Sequence, residues 1–301
     1  MNEIRDKILA QKKKKKALIL AHYYQTIDIQ EVADHVCDSF EMARRAAEAD
    51  EDLLIICGVR FMAESAKILN PNKTVLLPSP DAGCPMADMI VPEDVMKLRL
   101  QHPDAAVVCY VNSSAAVKAV SDICCTSSSA EKIVRALPER RIIFIPDRNL
   151  GSYIASRVPE KELILFDGCC PTHDCITAAD AASARNAFPQ AKLLTHPECR
   201  AEVLQQADFV GSTAEIIREA LESSVSEFII ATEIGVLERL QILAPDKVFH
   251  PIANDLLCAD MKKVTLPDIL NSLENGDYEV MLSSTEIASA SKSLERMVEL
   301  G

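Results

Sequence analysis

Three cysteines at nearly equal intervals constrain the fold of this chain more than any other feature of the sequence. Cys84, Cys170 and Cys258 lie 86 and 88 residues apart. Two further sets of polar residues repeat at intervals of 88 and 86 residues, namely His22, Tyr110 and His196, and Ser39, Ser127 and Thr213. A chain that repeats one unit three times can bring three distant thiols to one point on a pseudo-threefold axis. Three thiolates are one ligand short of a closed tetrahedral site, so one position would stay open for substrate.

Composition narrows the class of protein. The 301 residues are 49% hydrophobic, which is enough for buried cores, and no apolar run approaches the roughly 20 residues of a membrane span. The net charge of −13 argues against a nucleic-acid binder, which needs a basic surface. The first residues show no signal-peptide pattern. Eleven cysteines, an odd number without any C-x-x-C pair, favour a cytoplasmic location and metal ligands that are far apart in sequence.

Short β-branched runs alternate with longer segments of helical period, which predicts an α/β fold of three similar αβα domains with parallel sheets in a pseudo-threefold arrangement around a central site. The expected domains are residues 1–85 with 259–301, residues 86–171, and residues 172–258. We expect a long helix over Gln30–Ala49 and a tail helix over Ser284–Leu300. The nine predicted strands, three in each repeat, are Ala17–Ala21, Leu53–Cys57, Thr74–Leu77, Ala106–Tyr110, Arg141–Ile145, Leu163–Phe166, Lys192–Thr195, Glu227–Ala231 and Lys247–His250.

Each repeat also contains a helix-start signal, an N-cap residue with a glutamate three positions later. The three expected capping boxes are Asp38 with Glu41, Ser128 with Glu131, and Ser212 with Glu215. Helix starts favour anions, and in open parallel sheets ligands gather beyond the carboxyl ends of the strands. The three signals together therefore predict a shared site for carboxylate or phosphate groups.

Cys84 and Cys170 lie in loops marked by glycine and proline, and the common spacing adds Cys258. Iron–sulfur clusters take thiolate ligands, and a four-iron cluster held by three cysteines leaves one iron free to act as a Lewis acid. Zinc held by three cysteines and a water is the alternative metal. Four cysteines that border apolar runs are interpreted as core residues: Cys37, Cys57, Cys109 and Cys199. The roles of Cys124, Cys125, Cys169 and Cys175 stay open.

Pairs of polar residues two positions apart follow the first predicted strand of each repeat. If the chain is extended there, His22 and Tyr24 share one face, as do Tyr110 with Asn112 and His196 with Glu198. Such pairs provide proton donors and acceptors for stepwise imine and dehydration chemistry. His173, three residues after Cys170, is expected to support a ligand or to bind phosphate.

Long motifs occur in order between about Leu18 and Lys263, and in them the chain resembles one enzyme family, quinolinate synthase, the A protein of de novo NAD biosynthesis. These motifs are Ala21-His-Tyr-Tyr-Gln25, Gly58-Val-Arg-Phe-Met-Ala-Glu-Ser-Ala-Lys67, Gly83-Cys-Pro-Met-Ala-Asp88, Ser121-Asp-Ile-Cys-Cys-Thr-Ser-Ser128, Pro146-Asp-Arg-Asn-Leu-Gly151, His196-Pro-Glu-Cys199 and Ala231-Thr-Glu-Ile-Gly235.

The resemblance implies one 4Fe-4S cluster per chain, with Cys84, Cys170 and Cys258 as its ligands. It implies condensation of iminoaspartate with dihydroxyacetone phosphate to quinolinate, with loss of phosphate and two waters, and it admits a transient contact with the aspartate-oxidising enzyme. The residues implied in catalysis are His22, Tyr24, Tyr110, His196 and Glu198. Those implied in substrate binding are His22, Ser39, Tyr110, Asn112, Ser127, His173, His196, Glu198, Ser212 and Thr213.

The sequence departs from the family pattern at two places, neither of which removes a ligand. The third cysteine is followed by Ala-Asp-Met-Lys262, and Thr126 by three serines. Ile252 and Asp255 occupy positions where some members have further cysteines, so we expect no disulfide switch. Two alternatives remain: a zinc-dependent lyase on the same scaffold, and a non-enzymatic iron–sulfur sensor, although no basic DNA-binding element is present.

Overall fold

The computed structural model describes residues 2–253 and 256–301 and contains three four-stranded parallel sheets, each packed between helices. The predicted fold class is therefore confirmed. The strands of the first sheet are β1 (Ala17–His22), β2 (His35–Cys37), β3 (Leu53–Cys57) and β4 (Thr74–Leu76). Those of the second are β5 (Ala106–Tyr110), β6 (Ile123–Cys125), β7 (Arg141–Ile145) and β8 (Glu162–Leu165). Those of the third are β9 (Lys192–Thr195), β10 (Phe209–Val210), β11 (Glu227–Ala231) and β12 (Val248–Pro251).

All three sheets have the same strand order. The first strand of each repeat lies between the second and the third, as in β2-β1-β3-β4, and every neighbouring pair is parallel. The order reverses at this first strand, because the chain moves to one side for the second strand and to the other side for the third. Ligands in open α/β sheets bind at the carboxyl ends of strands beside such a reversal. The equal topology thus gives three equivalent sites of this kind.

Fifteen α-helices connect and cover the strands in the described part of the chain. They are α1 (Asn2–Lys15), α2 (Ile27–Gln30), α3 (Ser39–Glu48), α4 (Arg60–Leu69), α5 (Pro92–Gln101), α6 (Ala115–Ala119), α7 (Ala130–Ala136), α8 (Arg148–Arg157), α9 (Pro171–Asp174), α10 (Ala178–Ala187), α11 (Ala201–Leu204), α12 (Thr213–Glu222), α13 (Ile234–Leu243), α14 (Leu266–Asn275) and α15 (Ser284–Leu300).

All nine predicted strands are present, with ends shifted by at most one residue, but each sheet has a fourth strand that was not predicted. The additional strands β2, β6 and β10 are two or three residues long and lie at the sheet edges. The single helix predicted over residues 30–49 was wrong. Strand β2 divides this segment, and α3 begins at Ser39 after Asp38, whose side chain accepts a hydrogen bond from the Glu41 amide at 3.0 Å.

The three helix-start signals behave differently. Ser212 and Glu215 form the full reciprocal capping box, and Asp38 caps α3 through its side chain. The predicted box of Ser128 with Glu131 was wrong, because α7 begins after Ser129, which makes no side-chain cap. The hydroxyls there bond locally instead, since Ser129 Oγ accepts the Thr126 amide at 3.0 Å. Such short-range bonds compete with regular helix capping.

The apolar cores divide unevenly among the repeats. One cluster joins the first and second sheets to the tail helix α15, through residues such as Leu20, Val108 and Leu294. A second cluster fills the space between the first sheet, α1 and α14, and two separate clusters cover the faces of the third sheet. The first two repeats are therefore packed more closely with each other than with the third. The exact domain bounds given above stay a prediction.

No helix in residues 2–253 and 256–301 is both long and apolar enough to cross a membrane.

Candidate active site and metal centre

One cavity lies where the three repeats meet, and its lining comes from the loops and helix starts that follow the strands. Thirteen of the fourteen site residues named from the sequence line it. They are His22, Tyr24, Ser39, Cys84, Tyr110, Asn112, Ser127, Cys170, His173, His196, Glu198, Thr213 and Cys258. The structure thus brings together residues that lie as much as 236 positions apart in the chain.

Ser212 is the one named residue that does not line this cavity. Its side chain accepts the amide of Glu215 at 3.4 Å, and its own amide donates to the Glu215 carboxylate at 2.8 Å. The hydroxyl is thereby occupied in capping α12, and the residue is fully buried. It lines a shallower neighbouring depression instead.

The polar pairs after β1 and β9 reach the cavity by a turn. The expectation of an extended chain was wrong there, because the Gln25 amide donates to the His22 carbonyl at 2.9 Å and the Cys199 amide to that of His196 at 3.0 Å. The turn brings the amide of Tyr24 to His22 Nδ1 at 3.1 Å, and that of Glu198 to His196 Nδ1 at 3.3 Å. The two histidines, one in the first repeat and one in the third, are therefore held by the same local bond.

These bonds fix the protonation of the two rings. A ring nitrogen that accepts from a backbone amide carries no proton, so the neutral ring has its proton on Nε2. Burial, followed by the neighbouring His196, lowers the pKa of His22 to about 3. Burial likewise lowers the pKa of His196 to about 3, although Glu198 opposes the shift. At neutral pH both rings are neutral, and each has an Nε2–H group as its donor.

A chain of hydrogen bonds joins three side chains of the cavity lining through a fourth, the buried Thr232. The Tyr24 hydroxyl lies 3.0 Å from Thr232 Oγ1, which lies 2.9 Å from His173 Nε2. His173 Nδ1 lies 2.7 Å from Glu198 Oε2. With Glu198 ionised, His173 donates from Nδ1 and accepts from Thr232 at Nε2, and Thr232 then accepts from Tyr24. The four groups therefore form one continuous donor–acceptor path.

The two ends of this path have opposite acid–base character. Burial raises the pKa of Tyr24 well above its usual value, and Glu198 adds to the rise, so the phenol keeps its proton. Burial alone would raise the pKa of Glu198, but His196 and His173 beside it lower this pKa to about 2. Groups whose environments move their pKa values apart are suited to separate acid and base roles.

Two buried acceptor atoms at the site have no partner among the described residues, namely Glu198 Oε1 and Asn112 Oδ1. Buried polar atoms are normally paired, so unpaired ones at a cavity wall are suited to a ligand or an ordered water. Both side chains follow the first strand of their repeats, β9 and β5 respectively.

The three cysteines contribute one thiol from each repeat to this cavity. Burial raises the pKa of all three, that of Cys84 to about 12, so in the chain alone they are protonated at neutral pH. A metal centre bound there would displace these protons. In the described part of the chain, one set of potential metal-ligand atoms lies mutually within 4.8 Å, and it comprises Cys170, His173 and Glu198.

The spacing of the sulfurs bears on which metal fits. A tetrahedral zinc ion with bonds of about 2.3 Å requires sulfurs roughly 3.8 Å apart. Because Cys84 and Cys258 do not join the close set around Cys170, at least one pair of the three sulfurs is more widely separated than that. Three thiols that reach one cavity from separate loops, with at least one pair farther apart than one zinc ion allows, fit the cysteine ligation of a multinuclear cluster.

The remaining cysteines lie outside this group. The four interpreted as core residues are fully or almost fully buried in the apolar clusters, as predicted: Cys37, Cys57, Cys109 and Cys199. Cys124 and Cys125 are buried in β6, Cys169 is half-buried, and Cys175 is exposed. Ile252 is buried in the core, and Asp255 lies outside the described residues, so the expected lack of a disulfide switch stays a prediction.

Sequence reasoning missed Thr232 as well as two buried carboxylates, Asp147 and Glu233. Thr232 joins Tyr24 to His173, whereas the carboxylates contact the cysteine loops. Thr232 is the first residue after β11, and Asp147 and Glu233 are the second residues after β7 and β11. These positions lie at the same carboxyl edge of the sheets as the predicted site. Position at a strand end was the available signal.

The fold and the cavity together define an α/β protein of three repeats whose site combines thiol, imidazole, phenol and carboxylate groups. Residues 6–299 match the family model described as "NadA: Quinolinate synthetase A protein". A protein from Caldicellulosiruptor saccharolyticus named "Quinolinate synthase" is 51% identical over 300 residues, which cover 100% of this chain and 99% of the relative. One of the same name from Alkaliphilus metalliredigens is 48% identical over 302 residues and all of both chains.

A third relative, "Quinolinate synthase 2" from Methanosarcina acetivorans, is 48% identical over 297 residues, or 99% of this chain and 96% of the relative. The chain belongs to the quinolinate synthetase A protein family, and it is an enzyme. The alternative of a non-enzymatic sensor is therefore set aside.

Proposed function

We propose that this chain condenses iminoaspartate with dihydroxyacetone phosphate to quinolinate and releases one phosphate and two waters. The observation that carries the proposal is the convergence of three thiols, one from each repeat, on a cavity that also contains a four-member hydrogen-bond path. The similarity to proteins named quinolinate synthase over their whole length supports the same reaction.

The resident cofactor in this proposal is a 4Fe-4S cluster with Cys84, Cys170 and Cys258 as its ligands. When bound, such a cluster supplies a Lewis-acidic iron that polarises a substrate oxygen. The donor set supports this assignment, because the thiols come from three separate loops and at least one pair of their sulfurs is farther apart than the ligands of one zinc ion. The rest of the chemistry belongs to the side chains.

The hydrogen-bond path is proposed to move protons during the two dehydrations. Glu198, ionised and with one free acceptor oxygen, takes a proton from carbon. Tyr24, which keeps its proton, donates to the departing hydroxyl group, and the proton on Glu198 returns to Tyr24 through His173 and Thr232 as the His173 tautomer and the Thr232 hydroxyl reverse their direction. Acid and base are then connected inside the protein, so a proton taken at one end can be delivered at the other.

The two neutral histidines are proposed to orient the substrate. Each has an Nε2–H donor, which suits a carboxylate or a carbonyl oxygen. In this tautomer neither ring can remove a proton from the substrate, because Nδ1 already accepts a backbone amide. Tyr110, whose pKa burial raises well above its usual value, adds a phenolic donor opposite Glu198. Asn112 supplies an unpaired carbonyl oxygen that suits a substrate N–H or O–H group.

Anionic groups of the substrates are proposed to lie at the helix starts. Ser39 and Thr213 are the first residues of α3 and α12, and Ser127 lies in the turn before α7. Their hydroxyls and the free amides of helix starts favour phosphate and carboxylate. The cytoplasmic location and the transient contact with an aspartate-oxidising enzyme stay predictions.

The test is purification and reconstitution without oxygen, followed by iron and sulfide analysis and a turnover assay with both substrates. We expect about four irons and four sulfides per chain and quinolinate formation that depends on them. The competing candidate, a zinc-dependent lyase, is favoured by the close set of Cys170, His173 and Glu198, a donor combination that zinc accepts. Stoichiometric zinc without sulfide in an active preparation would establish that candidate instead.

A further inference from the structure

Each cysteine loop is attached to the protein at the same point. These loops are the segments Ala82–Cys84, Gly168–Cys170 and Leu256–Cys258. In every repeat the first residue of the helix after the third strand donates its amide hydrogen to the first carbonyl of the loop. The three bonds run from Arg60 to Ala82, from Arg148 to Gly168 and from Ile234 to Leu256, and each is 2.8 Å long.

The residue before each of these helices differs among the repeats in a way that matters for the cysteines. The three equivalent residues are Val59, Asp147 and Glu233, at intervals of 88 and 86. The carboxylate of Asp147 accepts the amide of Cys170 at 3.2 Å, and that of Glu233 accepts the amide of Cys258 at 3.2 Å. Both carboxylates are fully buried.

Each carboxylate uses its second oxygen on the helix that follows. Asp147 Oδ1 accepts the Leu150 amide at 2.8 Å, and Glu233 Oε2 accepts the Gly235 amide at 2.7 Å. One carboxylate therefore connects a cysteine loop to the start of a helix through two acceptor oxygens. An amide side chain of the same shape has one acceptor oxygen and cannot make both bonds.

The first repeat lacks this arrangement, because Val59 has no acceptor in its side chain. Its loop is contacted instead from the segment after the third cysteine, since the Gly83 amide lies 3.3 Å from Asp260 Oδ1. Asp260 follows Cys258 by two residues and is paired with Lys263 at 2.6 Å. Besides its bond to Arg60, the first cysteine loop is thus connected to the segment that directly follows the third cysteine loop.

We propose that Asp147 and Glu233 are positioning residues that hold the loops of Cys170 and Cys258 and so fix the directions of two of the three thiols. This inference rests on the proposed function, in which those thiols are ligands. Mutation of the groups that orient a metal ligand typically costs about 10- to 100-fold in metal affinity or activity.

Glu233 has a second connection that Asp147 lacks. Lys262 lies 3.0 Å from Glu233 Oε1 and donates to the Tyr24 carbonyl at 2.5 Å. The third cysteine loop and the proton-donating tyrosine are therefore held by one ion pair. A change at Glu233 should disturb both the thiol and turnover per cluster, whereas a change at Asp147 should act on the thiol and leave Tyr24 in place.

The experiment compares Asp147→Asn and Glu233→Gln with Thr177→Ala, which removes the N-cap of the ten-residue helix α10 and leaves the cysteine loops unchanged. Hydrogen exchange is first measured on the metal-free proteins. We expect exchange of the Cys170 amide to rise about 5- to 10-fold in Asp147→Asn, and that of Cys258 in Glu233→Gln, as expected for the loss of one buried hydrogen bond. Thr177→Ala should change neither amide.

After reconstitution, the rate at which a chelator removes iron is measured for each protein. We expect a rise of about tenfold or more in both carboxylate variants, together with reduced turnover per remaining cluster in Glu233→Gln alone. Wild-type exchange and wild-type iron loss in either folded carboxylate variant would overturn the proposal. The two variants report on separate loops, so if one does not fold, the other decides. A wild-type chain without iron and sulfide would defeat the proposed function, while the exchange result would still stand.

Discussion

Replacing Thr232 with valine tests the hydrogen-bond path at the cavity with little change of shape. The Thr232 side chain is 2% exposed, and its hydroxyl bridges Tyr24 and His173 at 3.0 and 2.9 Å. Valine has the same branched outline without the hydroxyl, so the substitution leaves no cavity. It interrupts the path in the middle and leaves both ends in place.

The stability cost of Thr232→Val should be modest. The Tyr24 hydroxyl keeps a second partner, Thr213 at 3.2 Å, whereas His173 Nε2 loses the partner described here. One unpaired buried nitrogen costs about 1–3 kcal/mol. A folded domain has about 5–15 kcal/mol in total, so the variant should fold. The loss of a positioned proton transfer is larger in effect, about 10²- to 10⁴-fold in rate.

The assay is quinolinate formation without oxygen, normalised to the iron and sulfide bound. We expect Thr232→Val to lose at least about 100-fold in rate at unchanged cluster content, and Thr232→Ser, which keeps the hydroxyl, to stay within about tenfold. Thr195→Val is the matched control, because Thr195 is also buried but its hydroxyl has no partner among the described residues. It should match the wild-type rate. A Thr232→Val variant with half the wild-type rate and a full cluster would refute the proposed path.

Three other changes test separate parts of the structure. Cys170→Ser, like serine at the other two cavity cysteines, should abolish iron binding and turnover, whereas the buried core variant Cys57→Ser should keep both; a full cluster in Cys170→Ser would contradict the ligand assignment. The folded pKa values of His22 and His196 are lowered to about 3, so the unfolded chain binds more protons than the folded chain between about pH 6.5 and 3. The free energy of unfolding should therefore decrease as the pH is lowered across that window, by about 1.4 kcal/mol per pH unit for each ring. Denaturant titrations of the metal-free protein at several pH values measure this, and a flat profile would contradict buried neutral rings. Gly235→Ala would place a methyl group 2.8 Å from the Tyr23 carbonyl and should lower stability by about 1–3 kcal/mol, seen as a lower melting temperature; an unchanged melting temperature would show that the first and third repeats are not packed this tightly.

Most strands were predictable, because short apolar runs such as Leu53–Cys57 and Glu227–Ala231 have no other good structure when bounded by turn residues. The two- and three-residue edge strands β2, β6 and β10 were not. His35–Cys37 is three residues long and contains a histidine, so its pairing with β1 depends on the neighbouring strand rather than on its own composition. The wrong helix prediction over residues 30–49 arose because this short strand was not recognised inside it.

The site residues divide in a similar way. The cysteines and the residues after β1, β5 and β9 were named from a spacing that the triplicated topology explains. Thr232 was not named, because its role depends on hydrogen bonds to Tyr24, which lies 208 positions earlier in the chain, and to His173. Contacts between distant repeats cannot be derived from local pattern.

The uneven division of the apolar cores makes the third repeat the part of the molecule whose attachment would depend most on the proposed cofactor. Its two clusters are separate from the one shared by the other repeats, and Tyr23 and Tyr24 are among the few side chains that pack across the boundary. A ligand bound at such a boundary adds its binding free energy to the cohesion of both sides. With the proposed cluster in place, an oxidant that destroys it would therefore loosen the enzyme along this boundary, and the damaged chain would become open to proteases before the rest of the fold unfolded.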